Sequence, residues 1–386
     1  MNHVEYVKAE EKDFTDLVDF INYVFSNAYQ PHNFEVLLPG LYSAENFMTG
    51  ANYMAREGGK IVANVGSYPA TYIVCGEQIK VNSITTVSVH PRARSKGYMR
   101  KLMDMALCDM RKDGTALSFL MGQRQRYEYF GYEPCGARLN YTCRSANIRH
   151  RYNNAFNSEI VLKELHSGDK GAFDDIYNWH NSGNAYIERP YERLISILST
   201  WANKTIGIYL NDKLIGYLSA SKDYSSICEM FIADDDFFVE TLGAYLNQYG
   251  RNDVTIEVYP HEKAFIRHLS GLAESVTVTN DMNFNVIDYI PVLNAFLKLK
   301  SGAEALPCGK LTINIRDIGK FTISVSDNHP SVLISDEKPD IECTHLEAMQ
   351  LLFSPVSPYL LGQLEGNAFA RGILPIPLFV RKNDRS

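Results

Sequence analysis

The most constraining feature of the sequence is a strand-to-helix junction in its first third. Ile79–Val89 is a β-branched run that predicts a strand, and Tyr98–Lys112 carries apolar residues at helical spacing. The segment between them is basic and ends in Gly97. A helix N-terminus exposes unpaired N–H groups and a partial positive charge, so this junction predicts a site for a pyrophosphate group. The alternative is a basic helix start that only contacts solvent.

The elements around this junction predict an α/β unit. An amphipathic helix is expected at Asp13–Phe25, and strands at Asn52–Arg56 and Ile61–Tyr68 form an antiparallel meander with Ile79–Val89. A short apolar strand, Ala116–Met121, follows the second helix. The junction has no G-x-x-x-x-G-K-[ST] or G-x-G-x-x-G motif, and the strands before it are antiparallel. Both observations disfavour a P-loop and a dinucleotide-binding βαβ turn.

With 386 residues the chain is too long for one ordinary domain, and two further units are predicted. The second unit has a hairpin that resembles Tyr53–Gly66, which suggests a degenerate duplication. Its predicted elements are helices at Asp169–Trp179 and Pro190–Thr200 and strands at Thr205–Leu210 and Leu214–Ala220. The third unit is predicted to contain helices at Pro291–Lys300 and His345–Phe353 and strands at Lys310–Arg316 and Lys320–Ser326. The apolar segment Leu374–Phe379 is expected to pack against the body of the protein.

Composition argues against several classes of function. The formal net charge of -7 gives no general attraction to nucleic acid. The cysteines and histidines lack C-x-x-C and H-E-x-x-H spacings, so no metal is expected. Neither a secretory signal nor a run of about 18 apolar residues is visible, so we expect a cytoplasmic protein that does not contact membranes.

The order of strand, R-x-x-G (Arg94 to Gly97), helix, strand and aromatic-rich segment resembles the GNAT acetyltransferase superfamily. Met99 stands where the family often has a second small residue. The wider context, Val87–Met103 with Tyr127–Tyr132 and the total length, resembles the Eis-like subfamily. This resemblance implies an α/β (α+β) fold with two GNAT-like domains, residues 1–148 and a degenerate 149–286. It also implies a sterol-carrier-like α+β domain at 287–386 with a tail that docks toward the first domain.

The resemblance also implies acetyl-CoA as co-substrate and a role for each site residue. Strand residues would bind the pantetheine arm, the helix start would hold the pyrophosphate, and two residues after Ala116–Met121 would flank the inserted thioester. These cofactor-binding residues are Val87, Ser88, Val89, Arg94, Ser95, Lys96, Gly97, Tyr98, Met99, Arg100, Gly122 and Gln123. Tyr127 would protonate the departing thiolate, with Tyr129 as the alternative, since a phenol is protonated at neutral pH.

The general base implied by the resemblance is the terminal carboxylate, here on Ser386, although the family's usual terminal residue is aromatic. We expect deletion of Asp384–Ser386 to remove this base while sparing the fold. In the second unit, Asp234–Asp236 replace the basic helix start and would repel a pyrophosphate, so one cofactor site per chain is expected.

The acceptor implied by the resemblance is a primary amine of an aminoglycoside, a polyamine or a lysine side chain. The resemblance further implies a homo-oligomer, and within the family the expected form is a hexamer. Two alternatives stay open: an acyl donor other than acetyl-CoA, and a non-catalytic scaffold or lipid-binding protein with a vestigial fold.

Overall fold

The computed structural model describes residues 3–156, 159–356, 358, 362, 364 and 366–385. The strands are β1 (Val4–Lys8), β2 (Asn52–Glu57), β3 (Lys60–Val74), β4 (Glu77–Val89), β5 (Leu117–Leu120), β6 (Glu133–Cys135), β7 (Arg138–Arg144), β8 (Ile160–Glu164), β9 (Ala185–Ile187), β10 (Lys204–Leu210), β11 (Lys213–Ala220), β12 (Ser226–Ile232), β13 (Asp253–Val258), β14 (Ala273–Thr279), β15 (Met282–Val286), β16 (Gly309–Ile315), β17 (Gly319–Ser326), β18 (His329–Ile334) and β19 (Ile341–Cys343).

The helices connect these strands and cover the sheets. They are α1 (Phe14–Ala28), α2 (Phe34–Leu37), α3 (Pro39–Tyr42), α4 (Tyr98–Lys112), α5 (Arg124–Tyr127), α6 (Ser145–Arg151), α7 (Lys170–Asn181), α8 (Leu194–Leu198), α9 (Phe238–Gln248), α10 (Lys263–Leu272), α11 (Tyr289–Ala303), α12 (His345–Phe353) and α13 (Ala368–Ile373). Within the described ranges, no helix has the length and apolar character needed to cross a membrane.

The first sheet contains the predicted meander. Its strand order is β1-β2-β3-β4-β5-β15-β6, and β9 pairs with β3. β2, β3 and β4 are antiparallel, whereas β5 is parallel to β4. Helix α4 has the predicted bounds because Leu102, Met103 and Ala106 recur at helical spacing and are fully buried.

Three strands cross the predicted boundaries between the first and second units. β9 lies within the range 149–286, yet it pairs with β3 of the first sheet. β7 precedes residue 148, yet it pairs with β13 and β14 in the second sheet. β15 ends at residue 286, within the range predicted for the second unit, yet it lies between β5 and β6 in the first sheet. The two sheets therefore each take a strand from the sequence range predicted for the other, and the ranges 1–148, 149–286 and 287–386 stay predictions.

The second sheet has the order β14-β7-β13-β12-β11-β10-β8. Its β10–β11 hairpin was predicted from the turn Asn211-Asp212, and both turn residues adopt the positive φ that such a turn requires. The parallel pairing of β12 with β13 involves only Ser226 and Ile227 of β12. Beyond these residues the two strands diverge.

The third sheet has the order β18-β17-β16-β19 and packs with α11, α12 and α13. The segment that follows α13 is buried, as its apolar character predicted: Ile376, Leu378 and Phe379 contribute to the same core as α11. The hydroxyl of Tyr72 on β3 donates a hydrogen bond to the Phe379 carbonyl at 2.9 Å. This bond ties the C-terminal segment to the first sheet.

Candidate functional site

A cavity of about 1520 Å³ lies at the divergence of β4 from β5, next to the start of α4. The end of α1 and the segment that follows it also line the cavity. Every cofactor-binding residue predicted above lines this one cavity, and so do Tyr127 and Tyr129. The structure therefore brings together residues from three separate parts of the sequence.

The pairing of β4 with β5 ends at Ile84 and Leu120. β5 stops there, whereas β4 continues along the cavity to Val89. Beyond Ile84, Ser88 and Val89 pair only with β3 on the other side, among the strands that the structure describes. The edge of β4 that faces the cavity thus offers free backbone N–H and C=O groups. An extended ligand can bind there as an added strand does.

A β-bulge distorts β4 at the point of divergence. The register with β3 shifts between Thr85 and Ser88, and Thr86 has a φ of 46°, which is uncommon for a β-branched residue. The Tyr42 hydroxyl hydrogen-bonds the Thr86 hydroxyl at 2.5 Å, and the Asn64 amide donates to the Thr86 carbonyl at 3.3 Å. Buried polar side chains behind the strand therefore hold the bulge in place.

The start of α4 has the properties that its sequence predicted. Gly97 has a φ of 80° and carries no side chain to cap the helix, so the first N–H groups of the helix have no such partner. Arg94 and Ser95 are exposed beside it. Lys96 pairs with Glu57 at 2.9 Å, and this contact lowers the pKa of the Glu57 carboxyl. An anion bound here would compete with Glu57 for the Lys96 charge.

Tyr127 and Tyr129 occupy different environments. The Tyr127 side chain is only 8% exposed, and burial raises the pKa of its phenol to about 12. A Cβ atom on Gly122 would lie 2.2 Å from the Tyr127 ring, so only glycine permits this packing. Tyr129 is 75% exposed. The enclosed position favours Tyr127 over Tyr129 as a group that acts inside the cavity.

The loop that carries Gly122 is also held by a residue that the sequence did not single out. Asn283 of β15 donates a hydrogen bond from its amide to the Gly122 carbonyl at 2.9 Å. Asn283 and Gly122 are far apart in the sequence and come together only because β15 enters the first sheet. No local pattern could have identified this contact.

Comparison with known proteins identifies the fold of this region. Residues 5–135 match the family model described as an acetyltransferase (GNAT) domain. Residues 5–135 form a GNAT acetyltransferase domain. On this match the chain is an acyltransferase enzyme. No curated protein sequence matches the chain.

Solved structures match the chain over nearly its whole length. A GCN5-related N-acetyltransferase from Anabaena variabilis is 17% identical, with a TM-score of 0.67 and 97% of each chain covered. A probable N-acyltransferase from Enterococcus faecalis is 17% identical, with a TM-score of 0.66, and the match covers 98% of this chain and 97% of that one. Eis1 from Mycobacterium abscessus is 14% identical over the same shares, also with a TM-score of 0.66. At these identities the similarity establishes the fold.

A second cavity, of about 610 Å³, lies beside the first and is lined partly by the GNAT domain and partly by later residues of the chain. Leu38 lines both cavities, and Ser83 and Phe119 reach the second one from β4 and β5. Other walls come from the α7–α8 region and from the C-terminal segment, through Asn383 to Arg385. A molecule in this cavity would therefore lie close to the last paired residues of β4 and β5.

The C-terminal residues are held in buried ion pairs. Arg189, which is 0% exposed, donates to Asp384 at 2.7 and 2.9 Å and to Glu229 at 2.9 and 2.8 Å. Arg385 is paired with buried Asp281 and donates to the Val380 carbonyl. These ion pairs argue against the expectation that deletion of Asp384–Ser386 spares the fold, because the deletion would leave buried charges without partners. Ser386, the predicted base, lies outside the described residues.

The second sheet differs from the first at the corresponding helix start. Asp234 caps the turn that leads into α9 by accepting a hydrogen bond from the Asp236 N–H, where the first sheet has Gly97 and basic side chains. The C-terminal segment packs near the divergence of β12 from β13: the Asn383 amide donates to Glu229 of β12 at 2.9 Å. Part of the chain itself thus occupies this divergence.

A metal site is not evident either. The residues that the structure describes contain no group of three or more histidine, cysteine, aspartate or glutamate side chains that could hold a metal ion.

Proposed function

We propose that the enzyme transfers an acetyl group from acetyl-CoA to a primary amine. The observation that carries this proposal is the cavity at the divergence of β4 and β5. The free edge of β4 lies on one side of it, and the uncapped, basic start of α4 lies on another. The strand edge would bind the pantetheine amides, and the helix start would bind the pyrophosphate.

The chemistry follows from the enclosed position of Tyr127. The amine nitrogen attacks the thioester carbonyl, the C–S bond breaks, and the departing thiolate takes the phenolic proton of Tyr127. Because burial keeps the pKa of Tyr127 near 12, this proton is present at neutral pH. The amine loses one proton, for which we propose the terminal carboxylate as acceptor. Asp384 is less suited to this role, because Arg189 already binds its carboxylate.

The wider assignments are also proposals. The low-identity match to Eis1 over nearly the whole chain supports an Eis-like organisation, with a degenerate second GNAT-like unit and a sterol-carrier-like third unit. A cytoplasmic location and a homo-oligomer are consistent with this organisation. The acceptor class includes small amines and lysine side chains.

Calorimetric titration of the chain with acetyl-CoA tests the cofactor site. We expect one molecule bound per chain, because Asp234–Asp236 and the C-terminal segment replace the corresponding site in the second sheet. Two equivalent sites per chain would show that the second sheet also binds acetyl-CoA. No binding to the folded chain would exclude the proposed function.

Replacing Arg94 and Lys96 together by alanine should weaken acetyl-CoA binding by roughly tenfold or more, because charge-assisted contacts to the pyrophosphate are lost. Both side chains are exposed, so the thermal stability should stay close to that of the wild type. Arg92→Ala is the matched control, since Arg92 belongs to the same basic run but does not line the cavity. Equal affinities of the double variant and the wild type would remove the pyrophosphate assignment.

A further inference from the structure

The second cavity contains an arginine that differs from its neighbours. Arg189 and Arg385 also line this cavity, but both are already paired with buried carboxylates. Arg189 binds Glu229 and Asp384, and Arg385 binds Asp281. For Arg193, by contrast, no carboxylate lies within ion-pair distance among the residues that the structure describes. Its positive charge is therefore available to a ligand.

Arg193 also has an unsatisfied hydrogen-bond donor. Its Nη2 donates to the Gly40 carbonyl, whereas its Nε is buried and has no partner in the described structure. Burial lowers the pKa of Arg193, and the nearby Tyr68 and Glu192 oppose this effect. Arg193 is half-buried and lines the second cavity, and a planar guanidinium is well suited to a carboxylate.

The wall of the second cavity is linked by hydrogen bonds to the first cavity. Tyr68 also lines the second cavity and accepts a hydrogen bond from the Asn52 amide at 2.8 Å. Asn52 in turn accepts from the Tyr42 hydroxyl at 3.4 Å, and Tyr42 contacts Thr86 at the bulge. A short series of buried side chains thus links the wall of the second cavity to the divergence of β4 and β5.

We propose that Arg193 binds a carboxylate of the acceptor, so that the enzyme acetylates amines that also carry an acidic group, such as amino acids or small peptides. This inference rests on the proposed function. The cavity volume of about 610 Å³ lies within the usual range for small-molecule sites, which run from roughly 300 to 1,000 Å³. Glu188 is an exposed acid that lines the same cavity.

Matched amines with and without a carboxylate test this proposal. Lysine and cadaverine, ornithine and putrescine, and tyrosine and tyramine differ only by that group. Binding is measured by calorimetry in the presence of CoA, which forms a ternary complex without transfer. At least one carboxylated amine should bind roughly tenfold or more tightly than its partner, as expected for a charge-assisted contact. Arg193→Gln should abolish that difference.

Two further variants keep the test independent of folding. Arg193→Lys keeps the charge and should retain part of the preference, and Glu188→Gln removes an acid from the same cavity and should not reduce it. The proposal is overturned if no carboxylated amine binds better than its partner, or if the preference survives in Arg193→Gln. If carboxylated amines bind but no amine promotes thiol release from acetyl-CoA, the proposed function fails while the binding assignment stands.

Discussion

Tyr127→Phe should lower turnover by about 10²–10⁴-fold, the range typical of general acid catalysis. The substitution keeps the ring that packs against Gly122 and removes only the proton donor. The affinity for acetyl-CoA should stay within a few fold of the wild-type value. The measurement is the rate of thiol release at saturating acetyl-CoA and amine, together with the calorimetric dissociation constant for acetyl-CoA.

Tyr129→Phe is the matched control for this prediction. Tyr129 lines the same cavity but is largely exposed, so its hydroxyl is expected to contribute little to turnover. Normal turnover in Tyr127→Phe combined with a large loss in Tyr129→Phe would transfer the acid role to Tyr129. Normal turnover in both variants would show that the thiolate leaves without a tyrosine proton.

Deletion of Asp384–Ser386 should destabilise the protein strongly. The deletion removes Arg385, which is the ion-pair partner of the fully buried Asp281 carboxyl. It also removes Asp384, one of the two carboxylates bound to Arg189. Removing one partner of a buried ion pair typically costs about 3–5 kcal/mol. The free energy of unfolding, measured by chemical denaturation, should fall by at least about 3 kcal/mol. A truncated protein as stable as the wild type would contradict the ion-pair network.

Deletion of Ser386 alone separates stability from catalysis. It keeps Asp384 and Arg385 and moves the terminal carboxylate by about 3.3 Å, the length of one extended residue. If that carboxylate is the base, turnover should fall by up to roughly 10²-fold. The free energy of unfolding should stay close to that of the wild type. Unchanged turnover would place the base elsewhere in the protein.

The sequence predicted those parts of the fold that depend on local pattern. The bounds of α4, the antiparallel meander and the β10–β11 hairpin follow from periodicity and turn residues, which act within a few residues of the chain. The helix start and the strand edge that line the first cavity were predictable for the same reason, because they are adjacent in sequence. The apolar C-terminal segment was also correctly expected to pack.

Non-local pairing explains what the sequence could not predict. β15 enters the first sheet and brings Asn283 to Gly122, although nothing in its five residues distinguishes it from a strand of the second sheet. The contact of Tyr42 with Thr86 and the position of Arg193 in the second cavity likewise depend on tertiary packing. The ion pairs of Asp384 and Arg385 reversed the expected effect of deleting the C-terminal residues.

Thiol release from acetyl-CoA, followed across a panel of amino acids, peptides, polyamines and aminoglycosides, tests acetyl transfer to an amine most directly. We expect release that depends on both the amine and the enzyme, with one acetylated amine formed for each thiol. A folded chain that binds acetyl-CoA but releases no more thiol with any of these amines than without one would contradict the proposed reaction.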